Sequence, residues 1–321
     1  MSESPSTADT PLDAEPSVES AGDTARAVID NVEQVIVGHH DAIEHLICAF
    51  LGRGHVLLED VPGVGKTMLA RSVARSFECD FKRVQFTPDL LPTDITGVNI
   101  YNQQTGEFEF RPGPIFANVV LGDEINRAPP KTQSALLEAM EEDQVTVDGE
   151  SYPVPSPFTV VATQNSVERD RTYDLPAAEL DRFMVQLSLG YPDEADEAAL
   201  LGQIVGDHPI EELQPVATTD DLLAAREATA QVAVEKPLRE YVTRLARYTR
   251  EHAQLGVSPR GAISLLRAGQ ARAVLDGRDY VVPDDVQAEA QVVMAHRIRR
   301  SAGEGTGTEL VAEALDAVAV E

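Results

Sequence analysis

Residues 55–67 read HVLLEDVPGVGKT, in which a short apolar run leads into a glycine-rich loop and a lysine–threonine pair. The pattern predicts a buried strand, a tight loop and a helix that opens near Lys66. Gly63 and Gly65 leave the loop free to turn backbone N–H groups toward phosphate oxygens, beside the positive end of the helix dipole. Lys66 would reach the β and γ phosphates of a nucleotide, and the Thr67 hydroxyl would bind Mg²⁺. The predicted nucleotide-binding residues are Pro62, Gly63, Val64, Gly65, Lys66, Thr67 and Met68.

This loop departs once from the general pattern G-x-x-x-x-G-K-[ST], because Asp60 stands where the first glycine is expected. That position starts the loop and does not cradle the phosphates, so the sequence predicts that the substitution is tolerated. The alternative is an ordinary strand–turn–helix connection. It is disfavoured because Lys66 and Thr67 follow the last glycine directly.

A second apolar run, NVVLGDEINR at 118–127, ends in two carboxylates. A wholly apolar strand is typical of a sheet buried on both faces. At the end of such a strand, Asp123 is predicted to hold the water shell of Mg²⁺, so Thr67 and Asp123 form the predicted metal site. Glu124 would orient and deprotonate a water on the γ-phosphate side. The alternative is a solvated turn, which the phosphate loop upstream disfavours.

Two further polar residues stand beside strand patterns. Asn165 closes the apolar run VVATQN, where its amide would hydrogen-bond the attacking water or the γ-phosphate. Arg182, within LPAAELDRFMV, precedes a strand at the domain edge. An arginine there can enter a neighbour's site and stabilise charge on the γ-phosphoryl group. The alternative keeps Arg182 in a structural ion pair with Asp181 or Glu179.

The stretch SPRGAISLLRAGQAR at 258–272 predicts a helix in the second half of the chain. Ser258 suits the N-cap and Pro259 the first helical position. Arg260 would project from the helix start and reach the phosphates from that side. The alternative is an ordinary surface arginine.

Strand and helix patterns alternate over residues 23–191, which predicts an α/β core with a parallel sheet sandwiched by helices. Two hairpin patterns interrupt the alternation, at 99–111 and 144–153. The second turns at Asp148-Gly149, a dipeptide that favours tight hairpins.

After Tyr191-Pro192, strand patterns become scarce and helical patterns dominate, which predicts an all-helical second domain over 192–300. Residues 1–22 are rich in Ser, Thr, Pro, Ala and acid and are predicted to form a disordered acidic tail. Residues 301–321 follow a glycine-rich break and are predicted to form a C-terminal tail segment.

The chain is strongly acidic, with 54 Asp and Glu against 26 Lys and Arg, a net charge of −28 and only four lysines. Two interpretations remain open: an acidic interaction surface, or adaptation to high salt, in which a carboxylate-rich surface stays hydrated and its repulsion is screened. The spread of acids along the chain favours the second. Either one disfavours a general nucleic-acid surface, which needs basic stripes.

Neither a signal peptide nor a membrane span is expected. Met1–Glu19 lacks a basic region followed by an apolar one, and no run of about 18 apolar residues occurs. The expected compartment is the cytoplasm.

Five motifs stand in one order along the chain: VPGVGKT, VVLGDEINRAPP, ATQN, LDRF and SPRG. Together with QFTPDLLPTDITG, GPIFAN and LLEAMEEDQVTVDG, they resemble the MoxR family of AAA+ ATPases over about residues 25–320. The resemblance implies a P-loop AAA+ core, a C-terminal all-helical lid domain, and ATP and Mg²⁺ as cofactors. It assigns Lys66 and Thr67 to Walker A, Asp123 and Glu124 to Walker B, Asn165 to sensor 1, Arg182 to the arginine finger and Arg260 to sensor 2. It also places His39 near the adenine, where relatives often carry Gln.

The resemblance further implies a homo-oligomer, usually a hexameric ring, in which Arg182 acts on the next subunit. Such proteins are chaperone-like machines that assemble or activate client protein complexes, often with a partner that bears a von Willebrand factor A domain. Two other functions are alternatives. A motor acting on DNA is disfavoured by the charge, and a non-catalytic nucleotide-gated scaffold is disfavoured by Glu124 and Asn165.

Overall fold

The structure is a computed structural model that describes residues 17–165, 173–203, 209–301 and 303–320. Its strands, numbered along the chain, are β1 (Val56–Asp60), β2 (Phe81–Gln85), β3 (Gly97–Asn102), β4 (Glu107–Pro112), β5 (Val119–Asp123), β6 (Gln144–Val147), β7 (Glu150–Pro153), β8 (Thr159–Asn165) and β9 (Val185–Leu187). Five of them form one parallel sheet in the order β2-β5-β8-β1-β9.

Thirteen α-helices are described. They are α1 (Val18–Glu33), α2 (His40–Leu51), α3 (Lys66–Ser76), α4 (Pro92–Thr96), α5 (Pro130–Glu142), α6 (Ala177–Leu180), α7 (Glu194–Gln203), α8 (Pro209–Glu212), α9 (Thr219–Gln231), α10 (Lys236–Glu251), α11 (Pro259–Leu275), α12 (Pro283–Met294) and α13 (Gly307–Ala317). None of these described helices combines the length and the apolar character needed to cross a bilayer.

Helices cover both faces of the sheet, as the alternation of side chains along β1 shows. Val56 and Leu58 belong to the hydrophobic core that includes α1, α2 and α3. Leu57 belongs to a second core, which includes residues of α5 on the opposite face. Successive strand residues point to opposite faces, so a strand buried on both sides must be apolar throughout. The predicted fold class is confirmed.

The parallel register brings the polar strand ends to one edge of the sheet. Asp60 at the end of β1 lies beside Asn165 at the end of β8. Gln85 at the end of β2 lies beside Asp123 at the end of β5. Because the carboxyl ends of parallel strands meet at one edge, residues far apart in sequence converge there.

The two predicted hairpins correspond to β3–β4 and β6–β7, and they contact each other. Asn99 donates a hydrogen bond to Asp148 across 2.8 Å, and the rings of Phe110 and Tyr152 stack with centroids 3.9 Å apart. The second hairpin follows α5 after a single residue, Asp143, which adopts a left-handed conformation. The hairpins therefore form one unit attached to the end of α5.

The helical region after β9 shares a hydrophobic core with the N-terminal helices. Val28 of α1 and Leu46 of α2 belong to the same buried cluster as Leu245 of α10 and Val274 of α11. We call α7–α13 the lid. Its packing against α1 and α2 joins the lid to the sheet region through apolar side chains.

Both predicted tails are corrected in part. Helix α1 begins at Val18, because Ser17 caps it by accepting from Ser20 N–H, and buried Gly22 packs against the backbone of Val274 in the lid. Residues 18–22 are therefore helical, whereas the rest of the predicted tail lies outside the described residues. At the other end, α13 begins in a capping box between Thr306 and Glu309. Its apolar face packs on α10 and α12, so 307–317 belongs to the lid.

Candidate nucleotide-binding and hydrolysis site

The phosphate loop connects β1 to α3 in the predicted way. Gly63 and Gly65 have φ of +88° and +93°, and an added Cβ at either would meet no atom within 4 Å. Backbone conformation, not space, therefore requires glycine at both positions. Gly65 is also the N-cap of α3, so the helix N-terminus faces the loop.

Lys66 donates from Nζ to the carbonyl oxygens of Asp60 and Val61, across 2.8 and 2.9 Å. Burial lowers the pKa of its ammonium group, and the carboxylates of Asp60, Asp123 and Glu124 oppose that shift. An ammonium group has three donors, so two carbonyl contacts leave one N–H for a ligand oxygen. The predicted phosphate contact is chemically available at this position.

Asp60, the departure from the general loop pattern, has a structural role. Its Oδ2 accepts from the backbone N–H groups of Leu189 and Gly190 across 2.6 and 2.7 Å, and from the Ser188 hydroxyl across 3.2 Å. Its Oδ1 accepts from Val61 N–H across 2.8 Å. A glycine here supplies none of these acceptors. The carboxylate ties the loop to the segment after β9 that leads into the lid.

Asp123 and Glu124 are both organised by Thr163 on the neighbouring strand β8. The Thr163 hydroxyl donates to Asp123 Oδ1 across 2.6 Å and accepts from Glu124 N–H across 2.9 Å. Asp123 Oδ2 accepts from Arg83 Nη2 across 2.5 Å. Neither Thr163 nor Arg83 was predicted as a site residue from the sequence. The contact with Arg83 shows that Asp123 Oδ2 is within reach of a cationic group.

Glu124 lies in the left-handed region with φ of +55°, which costs a residue with a side chain about 1 to 2 kcal/mol. Its Oε2 accepts from Gln85 Nε2 across 2.8 Å and from Arg127 Nη1 across 2.7 Å. These contacts hold the carboxylate at the turn after β5. Gln85 and Arg127 were also missed. Alternation along β2 puts Arg83 and Gln85 on one face, but the sequence does not say which strand lies beside it.

With the exception of Arg182, the predicted catalytic and metal residues line one cavity of about 250 Å³ at the carboxyl edge of the sheet. The lining residues of that cavity include Pro62, Gly63, Gly65, Lys66, Thr67, Met68, Arg83, Asp123, Glu124, Thr163, Gln164 and Asn165. Hydroxyl and carboxylate oxygens from Thr67 and Asp123 are the ligands that Mg²⁺ prefers. The donor set therefore fits the predicted metal.

A second cavity of about 400 Å³ shares part of the loop with the first. Its walls are mostly apolar and include Val35, Ile36, Val37, His39, Pro62, Val64, Met68, Tyr191, Leu200 and Leu201. An apolar pocket with a few polar groups suits an adenine base. His39 and Val64, both predicted nucleotide-binding residues, lie in this wall.

Arg182 and Arg260 do not join these residues. Neither Arg182 nor Arg260 is among the described residues that line the two cavities. Both form ion pairs instead with Glu141 near the end of α5: Arg182 Nη2 lies 2.9 Å from Oε2, and Arg260 Nη2 contacts Oε1. The start of α11 therefore faces the end of α5, and the reach of Arg260 to the phosphates from the lid side stays a prediction.

The alternative ion pair of Arg182 with Asp181 or Glu179 is not among the described ion pairs, because Arg182 pairs with Glu141 instead. Asp181 accepts from the Ser258 hydroxyl across 2.8 Å and from Arg297 Nε across 2.9 Å, so its carboxylate binds two residues of the lid. Burial raises the pKa of Glu179, an effect that Arg182 partly offsets. Glu141 was not found from sequence, because nothing local distinguishes it from the adjacent Glu142.

Comparisons with known proteins agree with this architecture. Residues 55–185 match the ATPase family associated with various cellular activities (AAA), and residues 245–314 match the AAA lid domain. The protein YeaC of Bacillus subtilis (strain 168) is 52% identical over 272 residues, which cover 84% of this chain and 85% of YeaC. Chaperone MoxR1 of Mycobacterium tuberculosis is 41% identical over 286 residues, 86% of this chain and 75% of that protein.

A solved structure extends the likeness to three dimensions. The crystal structure of a protein from Cytophaga hutchinsonii matches with a TM-score of 0.87 at 38% sequence identity. The match covers 94% of this chain and 96% of the other. The likeness therefore includes both the sheet region and the lid.

Proposed function

The chain belongs to the MoxR family of AAA+ ATPases, and we propose that it hydrolyses ATP with Mg²⁺ to remodel a partner protein complex. One observation carries the proposal. Lys66, Asp123, Glu124 and Asn165 come from separate parts of the chain and line a single cavity beside the phosphate loop. A binding scaffold needs the loop alone, whereas hydrolysis also needs a base and a group that orients water.

The loop and the metal site set the substrate's position. The backbone N–H groups around Gly63 and Gly65, with Lys66, hold the β and γ phosphates. Thr67 and Asp123 would hold Mg²⁺, which neutralises charge on those phosphates when bound. Arg83 already contacts Asp123 Oδ2, so its guanidinium would share that carboxylate with the metal or its water shell.

Glu124 acts as the base. Gln85 and Arg127 both donate to its Oε2, so we assign proton uptake from water to Oε1. The water oxygen forms a bond to the γ phosphorus, its proton passes to Glu124, and the bond to the bridging oxygen breaks as ADP leaves. Asn165 orients the same water from the end of β8.

Arg182 and Arg260 serve the neighbouring subunit. They contact Glu141 and lie outside the walls described for their own cavities, which supports a role across a subunit boundary. A site completed by the next subunit requires a head-to-tail contact, and such contacts form a ring when the rotation between subunits closes. The family suggests six subunits.

The hairpin unit is the proposed contact with the client. Tyr101 and Phe108, whose rings lie 5.3 Å apart, are 53% and 71% exposed. Exposed aromatic pairs are typical of protein-binding surfaces. We propose that this unit engages the client complex, with a von Willebrand factor A domain protein as the expected partner.

The test is ATP turnover per subunit across protein concentration, in molar KCl. It compares the wild type with Glu124→Gln and Arg182→Ala. Turnover should rise with concentration, and both variants should lose it while still binding nucleotide. Activity that is independent of concentration and survives Arg182→Ala would refute the trans arrangement. Stimulation by DNA would favour the motor function instead.

A further inference from the structure

One carboxylate joins the two arginines assigned to the subunit boundary. Glu141 Oε2 contacts Arg182, and Glu141 Oε1 contacts Arg260, so each oxygen holds one guanidinium. Two guanidinium groups repel each other when no anion lies between them. Glu141 therefore makes their close approach favourable.

The two arginines come from different parts of the molecule. Arg182 follows α6 in the sheet region, and Arg260 lies in the first turn of α11 in the lid. The Ser258 hydroxyl donates to Asp181 across 2.8 Å, which already brings the two segments together. Glu141 adds a third element, α5, to this junction.

Each side of the contact is anchored differently. On α5, the residue before Glu141 is held by the residue that precedes β1, because His55 Nε2 lies 3.0 Å from the carbonyl oxygen of Met140. Arg182 Nε is buried and has no hydrogen-bond partner among the described residues. The ion pair with Glu141 is thus the principal contact that sets the direction of the Arg182 guanidinium.

We infer that Glu141 is a positioning residue that holds Arg182 and Arg260 as one pair, ready for the γ-phosphate of the adjacent subunit. The inference rests on the proposed function, in which both arginines act across a subunit boundary. A γ-phosphate carries charge over three oxygens and is stabilised by several cations at once. Two guanidiniums on one carboxylate satisfy that requirement, because each retains N–H donors for a further anion.

The first experiment compares Glu141→Gln with Glu142→Gln. Glutamine keeps the size of the side chain but removes the charge that both arginines bind. Glu142 is the next residue, is exposed and has no ion pair among the described contacts. We expect Glu141→Gln to lower turnover about tenfold or more, with ATP affinity and oligomeric state unchanged, because misplaced groups slow chemistry. Glu142→Gln should match the wild type. Wild-type turnover in Glu141→Gln would overturn the inference.

Mixed assemblies then assign the defect to one side of the interface. Glu124→Gln subunits have an inactive site but intact arginines, whereas Arg182→Ala subunits have an intact site but lack one arginine. Mixing the two restores turnover if the arginines act in trans. We expect Glu141→Gln to regain turnover with Glu124→Gln, whose arginines are intact, and to gain none with Arg182→Ala.

The outcomes separate the inference from the proposed function. Two outcomes would overturn the inference while the trans arrangement stands. One is that Glu141→Gln regains turnover when mixed with Arg182→Ala, and the other is that it regains turnover with neither variant. If Glu124→Gln and Arg182→Ala fail to complement each other, the proposed trans arrangement fails and the inference fails with it. Recovery with Glu124→Gln alone supports both.

Discussion

The carboxylate of Asp60 accepts a hydrogen bond from the backbone N–H of Leu189 across 2.6 Å. This contact joins the start of the phosphate loop to the segment that leads into the lid. The loop's position therefore depends on a residue that the general phosphate-loop pattern does not contain.

Replacing Asp60 with glycine, the residue of the general pattern, should damage the protein. The change removes the acceptor for the Leu189 and Gly190 N–H groups, and a buried donor left without an acceptor costs about 1 to 3 kcal/mol. We expect the free energy of unfolding to fall by about that amount and ATP affinity to weaken. Urea denaturation and calorimetric titration with ATP measure the two effects. Asp60→Asn, which keeps one acceptor oxygen, should lose less; equal stability of all three proteins would contradict the assigned role.

Removing Arg83 should reduce the Mg²⁺ concentration needed for half-maximal turnover. Its guanidinium contacts Asp123 Oδ2, so at the proposed metal site it would compete for that oxygen and repel a divalent cation. The Arg83 side chain is 49% exposed, so the ion pair is worth about 0.5 to 1 kcal/mol, or about two- to fivefold in Mg²⁺. Turnover of Arg83→Gln titrated with Mg²⁺ at fixed ATP tests this. A requirement for more Mg²⁺ would show that Arg83 instead helps to bind the phosphates.

Acid should destabilise the fold through His55. Burial lowers the pKa of this ring from 6.5 to about 4, and Nδ1 accepts from Val160 N–H across 3.0 Å. Since the folded-state pKa is the lower one, the unfolded chain binds more protons between these values. The stabilisation is therefore fully present above about pH 6.5 and is lost toward about pH 4, by roughly 3 kcal/mol at most.

Urea denaturation across this pH window checks the effect. His55→Asn keeps an acceptor for Val160 N–H but has no proton to gain, so its free energy of unfolding should depend less on pH. Identical pH slopes for the two proteins would show that other groups cause the acid sensitivity.

Potassium chloride should stabilise the protein if the acidity reflects adaptation to high salt. The net charge is −28, and the Debye length falls from about 10 Å at 0.1 M salt to about 3 Å at 1 M. Screening of that repulsion should raise the urea concentration at the unfolding midpoint as KCl increases. Sucrose, which carries no charge, serves as the control for general solute effects. A midpoint that does not respond to KCl would favour an acidic interaction surface.

Much of the sheet region follows from local sequence. The apolar runs before Asp60, Asp123 and Asn165 predict strands, and parallel strands bring their carboxyl ends together. The α/β alternation therefore predicts that these residues lie at one edge of the sheet, and the strand order then brings Asp123 and Asn165 into one cavity with Lys66.

The partners of these residues do not follow from local sequence. Arg83 and Gln85 matter because β2 lies beside β5, and strand order is a property of the whole fold. Glu141 matters because α11 begins near the end of α5, which no periodicity in either helix encodes. The first turn of α1 was not predicted because its packing also depends on distant residues. Gly22 is buried against Val274, about 250 positions away in the chain.

Helix α5 has a mechanical consequence. It starts shortly after the turn that carries Glu124, ends beside Glu141 and continues through Asp143 into the hairpin unit. Its thirteen residues span about 20 Å, and it contains neither a glycine nor a proline beyond its first position. A helix without such a kink moves as one rigid body, so a displacement at one end also moves the other end. A displacement of Glu141 is therefore expected to reach the hairpin unit through α5, and in the proposed function this path would couple the two arginines to the client contact.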